Sequence, residues 1–213
     1  MTFSLPFKRP DMSIGILVVV HFFGVLGMAT PWRDWFVAMT PLTLVVSAVV
    51  LLVNHREWNP AFVGIAILCC LVGFFIEVAG VATGVIFGEY AYGSTLGIQA
   101  WGVPLVMGVN WLVLVYSTGA IAHRLPLPRI AQAAVAAGLM TLLDVVLEPV
   151  AIRLDFWTWS EGMPPLQNYL AWFAVAFVLL TAFHYLKFNK QNKVGVALYC
   201  IQFVFFLSIN LFF

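Results

Sequence analysis

The sequence predicts an all-α integral membrane protein, a polytopic bundle of seven transmembrane helices with a cytoplasmic N-terminus and an external C-terminus. Its composition is the first reason, because 63% of the 213 residues are hydrophobic, 9% are charged and the mean hydropathy is +1.01. Soluble domains carry about 45–50% apolar and about 25% charged residues. The second reason is that the apolar residues form long runs between short polar breaks. A net charge of +1 without a basic stripe excludes nucleic-acid binding.

Seven apolar runs come close to the roughly 20 residues that a helix needs to cross about 30 Å of hydrocarbon. A single integral-membrane domain over residues 1–213 is predicted, without an internal repeat. The first run is too long for a signal peptide, and Thr30-Pro31 is a poor cleavage site, so we expect a retained helix. The predicted spans lie near residues 12–30, 36–53, 61–83, 101–122, 130–152, 168–186 and 194–213.

The basic residues predict the orientation, because lysine and arginine collect on the cytoplasmic side of membrane proteins. Only Arg33 and Arg153 fall on the external side of the predicted bundle. The N-terminal side carries the rest, namely Lys8, Arg9, Arg56, Arg124, Arg129, Lys187, Lys190 and Lys193. The cell membrane is the expected location. Six tryptophans near the outer ends of spans indicate an aromatic belt or the mouth of a pocket: Trp32, Trp35, Trp101, Trp157, Trp159 and Trp172.

Three carboxylic acids lie inside predicted spans, where charges are costly and are functional candidates by default. Glu77 is in the third span, and Asp144 and Glu148 are in the fifth. Both spans run outward, so all three acids lie about 5–12 Å from the outer end of their helix. Asp144 and Glu148 share one helix face because they are four residues apart. The alternative is that these acids are hydrogen-bonded links between helices.

Small and polar neighbours support an interior position for the acids. A glycine ladder at Gly80, Gly84 and Gly88 predicts a close approach of another helix to the face of Glu77. Pro149 frees a backbone carbonyl beside the acids, and Asn110 adds a neutral donor and acceptor within the fourth span. Buried carboxyls that lie close together cannot all ionise, so at least one is expected to stay protonated beside a carboxylate. This favours acid–base chemistry on a substrate that arrives through lipid.

Other chemistries are disfavoured. No nucleophile, phosphate-binding or metal motif is present, so no metal and no cofactor are expected. A retinal Schiff base is excluded because every lysine lies outside the predicted spans. His21 and His184 are interpreted as structural. The cysteines are interpreted as buried apolar side chains: Cys69, Cys70 and Cys200.

Three ordered segments resemble a known family. Residues 77–92 read EVAGVATGVIFGEYAY, residues 102–111 include Asn110-Trp111, and residues 143–173 contain LDVVLEPVA, WTW and NYLAWF. This set is similar to that of a membrane carotenoid-biosynthesis protein family that includes the CruF-type carotenoid 1,2-hydratases, which act on γ-carotene-like and bisanhydrobacterioruberin-like substrates.

The resemblance implies that water is added to the terminal double bond of an acyclic carotenoid end group, without a cofactor. Asp144 is the first choice for the proton donor, and Glu77 or Glu148 would handle the water. The expected substrate contacts are Asn110, Trp111, Tyr90, Tyr92, Tyr169 and Trp172. The implied partners are the carotenoid, water, the bilayer and other membrane enzymes of the same pathway.

Three other functions stay open. A carotenoid cyclase would share the first protonation and capture the cation with an internal double bond in a dry pocket. A proton-coupled carrier would be expected to have acids at several depths, whereas these share one depth. A non-catalytic carotenoid-binding subunit would tolerate the loss of all three acids.

Overall fold

Eight helices account for most of the computed structural model, which describes residues 9–213; Lys8, one of the predicted cytoplasmic basic residues, lies outside this range. The helices are α1 (Pro10–Met28), α2 (Arg33–Ala38), α3 (Thr40–Val53), α4 (Pro60–Thr83), α5 (Val106–Ala122), α6 (Arg129–Arg153), α7 (Leu166–Tyr185) and α8 (Lys193–Phe212). Four short strands lie in the connections: β1 (Tyr90–Tyr92), β2 (Gln99–Ala100), β3 (Val103–Pro104) and β4 (Trp157–Trp159).

Five helices in the described part of the chain are long and apolar enough to cross a membrane, namely α1, α4, α6, α7 and α8. The chain is therefore an integral membrane protein. The apolar helices α3 and α5 are shorter, with 14 and 17 residues. A 17-residue helix is roughly 26 Å long. The count of seven spans and the orientation of the termini therefore remain predictions.

Helix α5 forms the centre of the bundle. Most of its residues are buried on all sides, and it contacts α3, α4, α6, α7 and α8. It lies against α4 where Gly73 faces Trp111, since a Cβ added at Gly73 would overlap the Trp111 side chain. Gly108 of α5 also lies close to α4, since a Cβ added at Gly108 would be 2.6 Å from the backbone carbonyl oxygen of Cys70. Small residues therefore let these two helix backbones come close together.

The predicted span 36–53 is wrong at its start, because the chain forms two helices there. Helix α2 ends at Ala38, Met39 caps both helices, and α3 begins at Thr40. Pro41 has no N–H and so cannot donate to the carbonyl of Val37, four residues earlier. The Thr40 hydroxyl donates to that carbonyl instead, at 2.7 Å.

The all-α prediction missed two small antiparallel sheets. Strand β1 pairs with β4, placing Tyr90 opposite Trp159 and Tyr92 opposite Trp157. Strands β2 and β3 form a hairpin whose two turn residues, Trp101 and Gly102, both have positive φ, as a tight hairpin turn requires. Helix α5 therefore begins at Val106, later than the predicted 101.

The predicted glycine ladder does not pack helices together. Helix α4 ends at Thr83, and Gly84 follows it in the left-handed conformation with φ of 66°. Gly88 also has a positive φ, of 107°, in the connection to β1. Only Gly80 is helical, and the atoms that a Cβ there would meet belong to Phe87 and Tyr90 of that connection. The last two glycines are therefore used for backbone turns.

Candidate active site

The three acids are buried in one region of the bundle. Glu77 on α4 and Glu148 on α6 are each 2% exposed, and Asp144 on α6 is 3% exposed. The Asn168 amide on α7 joins the two acids of α6. Its Nδ2 donates to Asp144 Oδ2 at 2.9 Å and to Glu148 Oε1 at 3.4 Å. Asn168 is absent from the residues predicted for the site, although it lies within the third segment of the family resemblance.

Glu77 accepts three hydrogen bonds. The Tyr90 and Tyr92 hydroxyls donate to its Oε2 at 2.6 and 2.9 Å, and Trp111 Nε1 donates to its Oε1 at 3.0 Å. Burial, reinforced by the nearby Glu77 carboxyl, raises the pKa of Tyr90 and of Tyr92 above the usual value. Both phenols therefore keep the protons that they donate. Glu77 is held rigidly, and its oxygens are largely engaged.

Glu148 is bound by two tryptophans. The indole Nε1 groups of Trp157 and Trp159 both donate to Glu148 Oε2, each at 3.0 Å. Alternate residues of a strand point to the same side, so the pairing of β1 with β4 gathers two phenols and two indoles around the acids. We call this pair of strands the donor ribbon. The prediction of a belt or pocket mouth missed the role of these tryptophans as hydrogen-bond donors.

Asp144 differs from both glutamates. Its Oδ2 accepts from Asn168, whereas its Oδ1 is buried and has no hydrogen-bond partner in the described part of the chain. Such an atom is uncommon, since buried polar atoms are normally hydrogen-bonded. Asp144 lies in the wall of a mostly apolar cavity, here called the Asp144 cavity. A protonated carboxyl there has no described acceptor for its proton.

A smaller cavity lies between the other two acids. Glu77, Glu148 and Asn168 line it, so we call it the two-glutamate cavity. Met107, Trp157 and Trp172 belong to the walls of both cavities, which therefore adjoin. The mostly apolar Asp144 cavity thus borders a small cavity that is lined by two glutamates and an amide.

The structure brings most of the predicted contact residues to this region. Trp111 stacks on Trp172 with ring centroids 4.6 Å apart, while its indole N–H binds Glu77. Asn110 lines the Asp144 cavity. Tyr169 is half-buried on α7 and lines neither of the two cavities. The catalytic and binding roles of all these residues remain predictions.

Gln202 of α8 is another residue of this region that was not predicted. Its side chain is 4% exposed, lines the Asp144 cavity, and has an Oε1 without a hydrogen-bond partner among residues 9–213. A buried amide in an apolar helix was the available signal. Over the same residues, no group of three or more histidine, cysteine, aspartate or glutamate side chains could hold a metal ion.

Residues 16–213 match the model of the family described as carotenoid biosynthesis protein. The chain belongs to this family. The match contains all three acids and the donor ribbon, and it confirms the resemblance found in the motifs. No solved structure matches the chain.

A curated relative points to the same family. The bisanhydrobacterioruberin hydratase of Haloarcula japonica is 31% identical over 161 residues, which cover 70% of this chain and 51% of the relative. This member of the carotenoid biosynthesis family therefore spans about half the length of the curated relative that it matches.

Proposed function

We propose that the protein is a carotenoid hydratase of the cell membrane that adds water to the terminal double bond of an acyclic carotenoid end group. Membership of the carotenoid biosynthesis family and the name of the Haloarcula japonica relative support the substrate class and the reaction. The observation that carries the proposal is the unpartnered Oδ1 of Asp144 in the wall of an apolar cavity. An unpartnered acid in an apolar cavity, next to a second cavity lined by two carboxyl groups and an amide, suits protonation of an alkene followed by capture of water.

The reaction begins with proton transfer from Asp144. The π electrons of the alkene take this proton at the less substituted carbon, which leaves a tertiary carbocation and the Asp144 carboxylate. Faces of Trp157 and Trp172 in the cavity wall stabilise the cation. The oxygen of a water molecule then bonds to the cation, and a carboxylate removes one of its protons. The sum is the addition of one water molecule, with no change in overall oxidation state.

Glu148 is the better of the two glutamates for the role of base. Its Oε1 has only the 3.4 Å contact with Asn168, whereas both oxygens of Glu77 accept short hydrogen bonds. A carboxylate oxygen with a free lone pair takes a proton more readily. Glu77 then positions the tyrosines and Trp111 around the water. At the end of the cycle, the proton taken up by Glu148 must pass back to Asp144. The bridging Asn168 amide keeps these two acids at a fixed separation during that transfer.

The test is expression of the chain in cells that accumulate lycopene or γ-carotene, followed by mass spectrometry of the pigments. A gain of the mass of one water molecule per modified end, with an unchanged chromophore, is the expected result. Absence of any new pigment, with the protein present in the membrane, contradicts the proposal and favours a carrier or a binding subunit.

A carotenoid cyclase is the second candidate, because most side chains that line the Asp144 cavity are apolar. In a dry cavity, an internal double bond of the substrate captures the cation and closes a ring. The same experiment separates the two functions, since cyclisation gives an isomer of unchanged mass with a shifted absorption spectrum.

A further inference from the structure

Two further cavities lie next to one another between the Asp144 cavity and the surface of the bundle. The first of these, here called the middle chamber, shares several wall residues with the Asp144 cavity: Thr40, Leu44, Phe156, Gln202 and Phe206. The second, here called the α1–α8 crevice, shares His21 and Phe205 with the middle chamber. Neighbouring cavities that share wall residues therefore lie in a row from the acid to the gap between the first and last helices.

The α1–α8 crevice opens on an apolar surface. Val18 and Phe22 of α1 are 46% and 56% exposed, and Val204 and Phe212 of α8 are 59% and 74% exposed. Both helices are long and apolar enough to span a membrane. Apolar side chains exposed on membrane-spanning helices face lipid tails. We therefore expect the mouth of the crevice to face the hydrocarbon layer.

An aromatic pair separates the crevice from the middle chamber. The rings of His21 and Phe205 meet edge to face, with centroids 5.5 Å apart. His21 is tied to its own helix by a 2.8 Å contact between Nδ1 and the Leu17 carbonyl. Near this pair, a Cβ added at Gly24 would lie 3.0 Å from Phe205. The Phe205 ring can therefore occupy this position because Gly24 has no side chain.

We propose that the α1–α8 crevice is the lateral entrance for the substrate, and that the polyene chain lies through the middle chamber with its reactive end at Asp144. This inference rests on the proposed function. The occupant follows from the wall residues shared along the row of cavities, from the apolar walls and from the opening to lipid. A long rigid polyene cannot fit wholly inside the Asp144 cavity, so its remaining length needs an apolar path to the bilayer.

The test compares two tryptophan substitutions on α1. Gly24→Trp fills the space beside Phe205, whereas Gly15→Trp is the matched control, since a Cβ at Gly15 meets no described atom within 4 Å. Hydration is measured with a full-length acyclic carotenoid and with a short isoprenoid that has the same end group. Gly24→Trp is expected to lower carotenoid hydration by about tenfold or more and to affect the short substrate far less. Equal carotenoid hydration in the two variants would contradict the proposal that the substrate enters through the α1–α8 crevice.

A second measurement separates failure of the entrance from failure of the proposed function. If the wild type hydrates neither substrate, hydration is refuted, and the entrance is judged by the amount of carotenoid that co-purifies with each variant. Less carotenoid with Gly24→Trp than with Gly15→Trp supports the entrance, and equal amounts refute it. If Gly24→Trp does not accumulate in the membrane, Ser208→Trp replaces it, because Ser208 lines the crevice and its hydroxyl bonds only to Val204 of the same helix among the described residues.

Discussion

At the scale of single residues, the three acids have distinct surroundings. Glu77 is saturated with donors, Glu148 has two indoles on one oxygen, and Asp144 retains a buried oxygen without a described partner. The same carboxyl group in three environments can hold three roles, because the neighbours decide which acid keeps a proton and which one accepts it. Asp144 combines an unpartnered oxygen with a place in the wall of the apolar cavity, so it is the acid that we most expect to donate the proton.

Asp144→Asn is expected to lower the rate of hydration by about 10²-fold to 10⁴-fold, because the amide has the shape of the acid but cannot donate a proton to an alkene. Pigment analysis in cells that express equal amounts of protein measures the effect. Glu89→Gln is the matched control, since Glu89 is an exposed loop acid. Undiminished hydration in Asp144→Asn contradicts its role as the proton donor.

Gln202→Leu tests how the cation is captured. The buried Oε1 of Gln202 has no partner among residues 9–213 and lines the Asp144 cavity, so it is available to accept a hydrogen bond from a water molecule that enters there. Leucine removes this acceptor with little change in volume. We expect less hydrated product and more ring-closed or eliminated isomer, in a ratio measured by chromatography with mass detection. An unchanged product ratio would show that water reaches the cation without Gln202.

At the scale of elements, the donor ribbon organises the site from outside the helices. Strand β1 supplies two donors to Glu77, and strand β4 supplies two donors to Glu148. The pairing fixes the spacing between the two sets, because each tyrosine lies opposite a tryptophan. The sheet is small, but the position of both glutamates depends on it.

The effects of Trp157→Phe and Trp159→Phe on hydration are expected to be non-additive, since both indoles donate to the same oxygen of Glu148. Each single variant leaves one donor, whereas the double variant leaves that oxygen with none. The loss of hydration in the double variant should exceed the product of the two single losses. Independent effects in this double-mutant cycle would contradict the shared contact, and Thr158→Val, on the exposed face between them, is the control.

At the scale of the whole molecule, the bundle is built around α5, which the other helices bury. It packs tightly against α4 at Gly73, which faces the Trp111 side chain that binds Glu77. Packing at the centre and geometry at the site are therefore coupled through one side chain. A shift of α5 moves the indole donor away from the acid.

Gly73→Ala is expected to destabilise the protein by about 1–3 kcal/mol, as overpacking of a close contact does, and also to lower hydration. Gly64→Ala on the same helix is the control, because a Cβ there meets no described atom within 4 Å. It should leave stability unchanged or raise it by up to about 1 kcal/mol. Unfolding of the purified protein in mixed detergent micelles measures both, and equal stability of the two variants contradicts the tight contact.

The predicted orientation is tested with reporters fused to the C-terminus after Phe213. An odd number of crossings and a cytoplasmic N-terminus predict active alkaline phosphatase and non-fluorescent green fluorescent protein at this position. The same reporters inserted after Asn189, between α7 and α8, should give the opposite result. A fluorescent C-terminal fusion would contradict the prediction, because it would mean either that the bundle is inverted or that one predicted span, such as the shorter α3 or α5, does not cross the membrane.

Local signals in the sequence were sufficient to predict many of the elements and the burial of the three acids. Intramembrane acids are rare and expensive, so Glu77, Asp144 and Glu148 stand out within their apolar runs, and the helices α1, α4, α6, α7 and α8 match the predicted spans closely. The remaining features depend on contacts between distant segments. Asn168 and Gln202 belong to the site only because of the direction in which α7 and α8 turn their polar side chains. The apolar sequence around these two residues does not indicate that direction.

The donor ribbon also has a consequence for the biogenesis of the protein. Strand β1 leaves the ribosome well before β4, with α5 and α6 made in between. Glu77 therefore enters the bilayer while half of the ribbon is still unsynthesised, and Glu148 follows before its indoles exist. The order of synthesis makes the assembly of the site a late event, because the ribbon can pair only after the segment between α6 and α7 has been made.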